Sequence, residues 1–491
     1  MKKIIILLLC LLISGCEKTT NQDSSIYYQI FVGSFSDSDG DGIGDINGII
    51  DKLDYLETLN IKGIWLTPIH PSNSYHKYDV IDYYNIDEDF GSISDFEKLI
   101  NECKKRNIEV IMDLVINHTS NLHPLFIEAS ASNSNDNCTN NPICDYYVFT
   151  NEVNDINTKI KDGLYYDSSF GGHMPDLNLE NQDVIDEIEN ICAYWLEKGV
   201  SAFRLDAVIH YLKSNTLNIE FINKLDKIIK KYNQNAYLIG EAWTSDGIIL
   251  DLYQSDIYSL FNFGASGTNG KIVDSIRRNN GQYLSYYLSD YQNSIKEIND
   301  KAINSVFVSN HDQARSRAYF YTQKEKYNLM INTLLLAPGN VFLYYGEELG
   351  MLGSGIDENK RLAMPWGDSY QANDPINADY KNIEETYLIQ KKDKESIYNH
   401  YLKLIKIRSK YPELKEAKIS NIKSEDNGLY AMLHELNEKK VIVLHNYSDV
   451  YLEYSLDYKV IDYDIIDYKE SSSIEEVIKI APYASIILEV E

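Results

Sequence analysis

From residue 26 onward, short apolar runs alternate with longer stretches whose apolar residues recur at helical spacing. The short runs are Tyr27–Val32, Gly63–Leu66, Val110–Val115, Ser201–Leu205, Tyr237–Gly240, Ser259–Phe263, Ser305–Val308 and Asn340–Tyr344. Each is too short for a core helix and reads as a buried strand. Between the first two, Ile46, Ile49, Ile50, Leu53, Leu56 and Leu59 keep the three-and-four spacing of one helical face. Ser94 with Glu97 makes a capping-box pattern that opens a helix running through Lys105. Eight strand–helix alternations predict an α/β fold, a (β/α)8 or TIM barrel, with a doubly wound sheet as the alternative.

Two stretches break this rhythm. Residues 119–175 are rich in Asn, Ser, Asp and Gly with little periodicity, and so read as a domain inserted after the third strand. After residue 411 helical patterns give way to β-rich runs, Gly428–Leu433, Lys440–His445 and Ser485–Val490, which predict a C-terminal antiparallel β domain over 412–491. The barrel is thereby assigned to 26–118 and 176–411.

The N-terminus reads as targeting. Lys2 and Lys3 precede an apolar run from Ile4 to Ile13, too short to span a bilayer, and it ends in Leu12-Ile13-Ser14-Gly15-Cys16. That ending resembles a bacterial lipobox, which implies a signal peptide over 1–15, lipidation at Cys16 and a polar tether over 16–25. The expectation is a protein exported and held to a bacterial membrane by lipid. In such a compartment Cys138 and Cys144, which flank a short polar loop, are candidates for a disulfide, while Cys103 and Cys192 fall in helical apolar patterns as small hydrophobes. The net charge of −28 repels phosphate backbones and argues against nucleic acid as a partner.

In a barrel, chemistry collects at the C-terminal ends of the strands. Four segments meet there: Asp113 through Asn117-His118; Arg204-Leu205-Asp206 with His210 close behind; Gly240-Glu241-Ala242-Trp243; and Asn310-His311-Asp312. Three carboxylates, histidines and an arginine on one rim would be costly as mere structure, because buried charge must be paired or put to use. In their order and content these segments resemble the four main conserved regions of the α-amylase superfamily. His173-Met174-Pro175-Asp176-Leu177-Asn178 is similar to a fifth, of the group between oligo-1,6-glucosidases and neopullulanases.

The resemblance implies a retaining glycoside hydrolase acting on α-1,4-glucosidic bonds of starch, glycogen or maltodextrins. Asp206 would be the nucleophile, Glu241 the general acid/base and Asp312 the third carboxylate. Tyr78, His118, Arg204, His210, Trp243 and His311 would bind or orient the sugar. Trp366 is as readily a packing residue. Tyr75 stands where exo-acting oligo-1,6-glucosidases usually carry an acid, which favours endo attack. Ile209 replaces a lysine frequent in α-amylases, and Lys77 gives a His-Lys-Tyr-Asp variant. These departures keep open an oligosaccharide-directed α-glucosidase, a neopullulanase or a transglycosylase, with a non-catalytic glucan-binding lipoprotein as the reading outside enzymes. Separately, Asp37, Asp39, Asp41 and Asp45, with Gly42 and the Ile43 carbonyl, reproduce most of a calcium-loop pattern without its closing Glu. A structural Ca2+ is expected there, and Asn117 is a candidate ligand for a second.

Overall fold

The computed structural model describes residues 24–491 apart from 136, 382–384 and 476; the signal segment and Cys16 lie outside the described residues. Eight parallel strands close into a barrel: β1 Ile26–Ile30, β2 Gly63–Leu66, β3 Glu109–Leu114, β4 Ala202–Leu205, β5 Tyr237–Gly240, β6 Ser259–Phe261, β7 Ile303–Val306 and β8 Asn340–Tyr344. Their order around the barrel follows the chain, with β8 returning to pair with β1. The doubly wound alternative is thereby excluded. Because all the strands run the same way, their C-terminal ends share one rim.

Three local readings are corrected. The helical face over residues 46–59 is two short helices, Ile46–Asp51 and Leu53–Thr58. They part at Lys52, whose φ of −103° and ψ of 6° leave the helical region while its ammonium reaches Asp368 at 2.8 Å. The helix α1, Ile93–Lys105, is capped two residues earlier than expected, by Ser92 with Asp95 in a reciprocal box. Gly91, at φ +116°, turns the chain sharply just before it, and so fixes which of the two serines meets the first free N–H groups. The seventh strand also begins earlier, at Ile303, and Phe307 and Val308 carry the buried chain past the ladder to the rim.

The insertion has elements the sequence pattern hid: a helix Pro124–Ser134 and a small antiparallel sheet of Phe149–Thr150, Asn157–Lys161 and Leu164–Asp167. These strands are short and half exposed, so they leave little alternation to read. Phe126, Ala129, Ile143, Tyr147 and Tyr166 give the insertion its own core. Cys138 and Cys144 are joined as a disulfide with Cα atoms 5.7 Å apart, and Cys103 and Cys192 are buried thiols. The chain rejoins the barrel by bridges from His118 to Asp176 and from Tyr147 to Leu177.

The C-terminal unit is antiparallel, a five-stranded and a three-stranded sheet around an apolar cluster that includes Leu429, Ile442 and Ile486. It begins at Lys418, after a short helix Glu413–Glu416. At the other end, Ser24 and Ser25 are buried rather than part of a tether. Ser24 donates to the Asn60 carbonyl at 2.6 Å, and Arg408 donates to Ser25 at 2.8 Å. Among the described residues no helix is long and apolar enough to cross a membrane.

Candidate active site

Arg204 organises the rim. It lies in β4 two residues before Asp206, so alternation along the strand puts both on the barrel's inner face. Its Nη1 donates to Asp113 at 2.8 and 3.0 Å and to Asp206 Oδ1 at 2.7 Å. Its Nη2 sits 2.9 Å from Glu241 Oε2, and the Trp65 ring lies 4.9 Å from the guanidinium carbon. One buried cation therefore ties together carboxylates from β3, β4 and β5. Immediately after Asp206, Ala207 takes a left-handed conformation, φ +49° and ψ 44°, and its N–H donates to Glu241 Oε2 at 3.0 Å. A turn that costs of order 1 kcal/mol for a residue with a side chain is thus held by a bond to the neighbouring carboxyl.

Burial pushes Glu241 well above the ordinary carboxylate range; Arg204 opposes this, and the charges of Asp206 and Asp312 add to it. Burial likewise raises Asp113, to about 7, against the opposing pull of the Arg204 guanidinium that contacts both its oxygens. Burial lowers His118 to about 4 and His311 to about 3, so both rings are neutral near neutral pH.

The second cluster surrounds Asp312. Gln29 Nε2 lies 2.6 Å from His311 Nδ1, which leaves the His311 Nε2 proton facing Tyr78 at 2.7 Å and Asp312 at 3.1 Å. Tyr78 stacks parallel to His311 and donates to Asp113 at 3.1 Å, joining the two clusters. Arg361, absent from the sequence-derived site, holds Asp312 at 2.9 Å, the His311 carbonyl at 3.0 Å and the Tyr75 hydroxyl at 2.7 Å. Burial opposes the charged form of Asp312, but His311 and Arg361 outweigh it and keep the carboxyl below its usual range.

Above these groups lies a cleft of about 460 Å3. Tyr78, His118, Asp206, His210, Glu241, Trp243 and Asp312 line it, whereas Arg204 and His311 lie beneath. His118 Nε2 is buried and has no hydrogen-bond partner among the described residues. Phe170, from the insertion, packs on His118 and His210 with ring centroids 5.2 and 5.0 Å away, and sequence reasoning missed it. The cleft adjoins a groove of about 680 Å3 that shares Trp243 and Asp312. Trp243 is half exposed there and stacked on Phe263 at 5.1 Å. Trp366 is buried on Phe35 and Tyr55 and takes no part in the cleft.

In the loop after β1, ligand oxygens of Asp37, Asp39 and Asp45 lie within 4.8 Å of one another, a hard-oxygen set that suits a divalent cation. Asp41 falls outside this set, its carboxylate capping the Ile43 N–H at 2.7 Å. Ile43 packs its side chain on the core. Asn117 is elsewhere: its amide donates to Asp176 at 3.2 Å, and burial raises Asp176 to about 6.

Residues 29–417 match the family described as α-amylase, catalytic domain. The chain is 36% identical to Alpha-amylase 3 of Dictyoglomus thermophilum over 95% of its length and 93% of that protein. It is 29% identical to a 4-alpha-glucanotransferase of Thermotoga maritima over 86% of its length and 96% of that protein. Among solved structures, Eubacterium rectale Amy13B superposes with a TM-score of 0.92 at 36% identity, covering 96% of each chain.

Proposed function

The chain belongs to the α-amylase family of glycoside hydrolases, and from that premise we propose that it cleaves internal α-1,4 bonds of glucans by double displacement at Asp206 and Glu241. The observation that carries this reading is the pair of carboxyls on adjacent nitrogens of Arg204. Such a shared cation favours the short separation of roughly 5 Å that retention needs over the wider gap of inversion. Glu241, kept protonated by burial, donates its proton to the glycosidic oxygen as Asp206 attacks C1. The sugar chain beyond that oxygen departs, and Glu241, now a carboxylate, takes a proton from the water that releases the glycosyl unit. Asp312 is ionised to accept ring hydroxyls, His118 Nε2 is free to bond another, and the Tyr78 ring supplies an apolar face for the sugar.

Endo attack is supported by the groove that continues the cleft past Trp243. A second reading, transfer of the bound glycosyl unit to a sugar, draws on the same wall. Ile209, Trp243 and Phe263 present apolar surface on that side, which would suit an incoming sugar better than water. Product analysis on amylose, maltotriose and pullulan, with NMR of the first anomer released, separates these. Endo hydrolysis gives mid-length α-anomeric products from amylose, and transfer gives products longer than maltotriose. A β-anomer would overturn the double displacement.

We assign a structural Ca2+ to Asp37, Asp39 and Asp45, where it would neutralise three converging carboxylates remote from the chemistry. Asn117 beside Asp176 is the proposed place of a second ion. A ligand bound only by the folded state stabilises it by mass action, about 2.7 kcal/mol at a hundredfold excess over Kd. Chelation should therefore lower the Tm by several degrees, and Asp39→Ala should abolish most of that response; an undiminished response in Asp39→Ala would move the metal away from this loop.

The lipobox-like end of the apolar run supports the proposal that the enzyme is exported and anchored through Cys16. Multiple acyl chains hold a protein stably where charge attraction would yield to salt. The protein should stay with membranes in high salt and leave with detergent, and Cys16→Ser should remove the lipid. Wild-type protein found free, with residue 16 unmodified, would refute the anchor.

A further inference from the structure

Between β2 and α1 a loop carries three side chains toward the cleft: Tyr75, which bonds Arg361, and His76 and Tyr78, which line it. In the middle of these stands Lys77, in a left-handed conformation at φ +65° and almost fully buried. That backbone is unfavourable for a residue with a side chain, and it persists only where the surroundings over-determine it. A glycine would take it freely, so the lysine must contribute through its side chain.

Its surroundings supply the restraint. Lys77 Nζ lies 2.8 Å from Asp87 Oδ2 and 3.6 Å from Asp89, with the Phe90 ring 5.4 Å away. Asp87 is itself fixed: its N–H donates to the Ile69 carbonyl at 2.9 Å, and its carboxylate accepts from the N–H groups of Ser72 at 3.2 Å and Asp89 at 3.1 Å. The ammonium thus fastens the tip of the loop to a carboxylate that already binds the loop's base. At the tip, the Lys77 N–H is bonded to Ser74, and the Tyr78 N–H donates to His76 Nδ1 at 3.1 Å. Lys77 is not among the residues that line the cleft.

We propose that Lys77 is a positioning residue: its ion pair with Asp87, beneath the loop, holds the left-handed turn that aims Tyr75, His76 and Tyr78 at the bound sugar. This rests on reading Tyr78 as a sugar platform. The pair is buried at both ends, so nothing in solvent can replace either partner, and its loss lets the tip relax away from His311 and Arg361. A displacement of about 1 Å in such a group is enough to cost on the order of a hundredfold in rate.

The test compares Lys77→Gly, Lys77→Arg, Asp87→Asn and the double variant Lys77→Gly/Asp87→Asn, measuring kcat and KM on maltopentaose alongside thermal unfolding. Lys77→Gly suits the backbone and should fold, yet its kcat/KM should fall about tenfold or more, chiefly through kcat. Lys77→Arg should restore most of the activity. Asp87→Asn should show the same defect as Lys77→Gly, and the double variant should be no worse than either, because residues acting through one contact are not additive. A stabilising role alone would shift the Tm and leave kcat/KM of the folded enzyme unchanged. Lys77→Gly with kcat/KM within about twofold of wild type, or a double variant with additive losses, would overturn the proposal. Tyr78→Ala is the control on the underlying reading: near-wild-type kinetics there would remove the sugar platform itself, whatever Lys77 does.

Discussion

Asp206→Asn should reduce starch hydrolysis by about 10^4-fold or more while leaving a folded, cooperatively unfolding protein. The asparagine is nearly isosteric, and its carbonyl oxygen can still accept the 2.7 Å bond from Arg204. What it lacks is the charge that attacks C1, and no neighbour can supply that, because burial favours the neutral form of Glu241 and Asp113 is engaged by the guanidinium through both oxygens. The fold should survive for an electrostatic reason. Arg204 is a single positive charge facing three carboxyls, so neutralising one relieves repulsion instead of stranding a buried cation. Initial rates on soluble starch, with a thermal melt of the same preparation, test both halves. Activity within about tenfold of wild type, set against the size of a lost nucleophile, would remove Asp206 from its role. A collapse of the melt would mean that its charge is structural.

The sequence makes some of this site legible and hides the rest for identifiable reasons. Asp206 and Glu241 can be placed because each directly follows a short apolar run that is a barrel strand, and Asp312 because it lies in the segment that leaves another; strand ends share a rim. Arg361 is invisible because its role depends on Asp312, 49 positions earlier, and nothing in Arg361-Leu362-Ala363-Met364 marks the side chain as turning inward. Phe170 is hidden likewise, since it sits in a loop of the insertion where neither period applies and is brought over His118 only when the insertion folds back. Asp113 was in view as part of a motif, but its pairing with Arg204 is a contact between neighbouring strands and appears only with the register of β3 against β4. The calcium pattern fared differently: spacing alone counted Asp41, whereas the fold of the loop brings only Asp37, Asp39 and Asp45 within 4.8 Å of one another.

Glu241→Gln should divide substrates by their leaving group. On starch, where the departing sugar oxygen needs a proton, loss of the general acid should cost about 10^2 to 10^4-fold. On an α-maltosyl fluoride, whose fluoride departs without a proton, formation of the glycosyl-enzyme should be nearly normal. Its hydrolysis should then be slow for want of a base, and added azide should speed turnover by needing none. The pH dependence gives an independent sign. In the wild type the working form of Glu241 is the neutral acid, and burial raises its pKa, so activity on starch should persist above the range where an ordinary glutamate is ionised, about pH 4.3, and fall only as pH rises through the raised value. Glutamine has no proton to lose, so this alkaline limb should vanish from the residual activity of the variant. An alkaline limb that stays where it was, or an equal loss on starch and fluoride, would show that another group on the rim donates the proton.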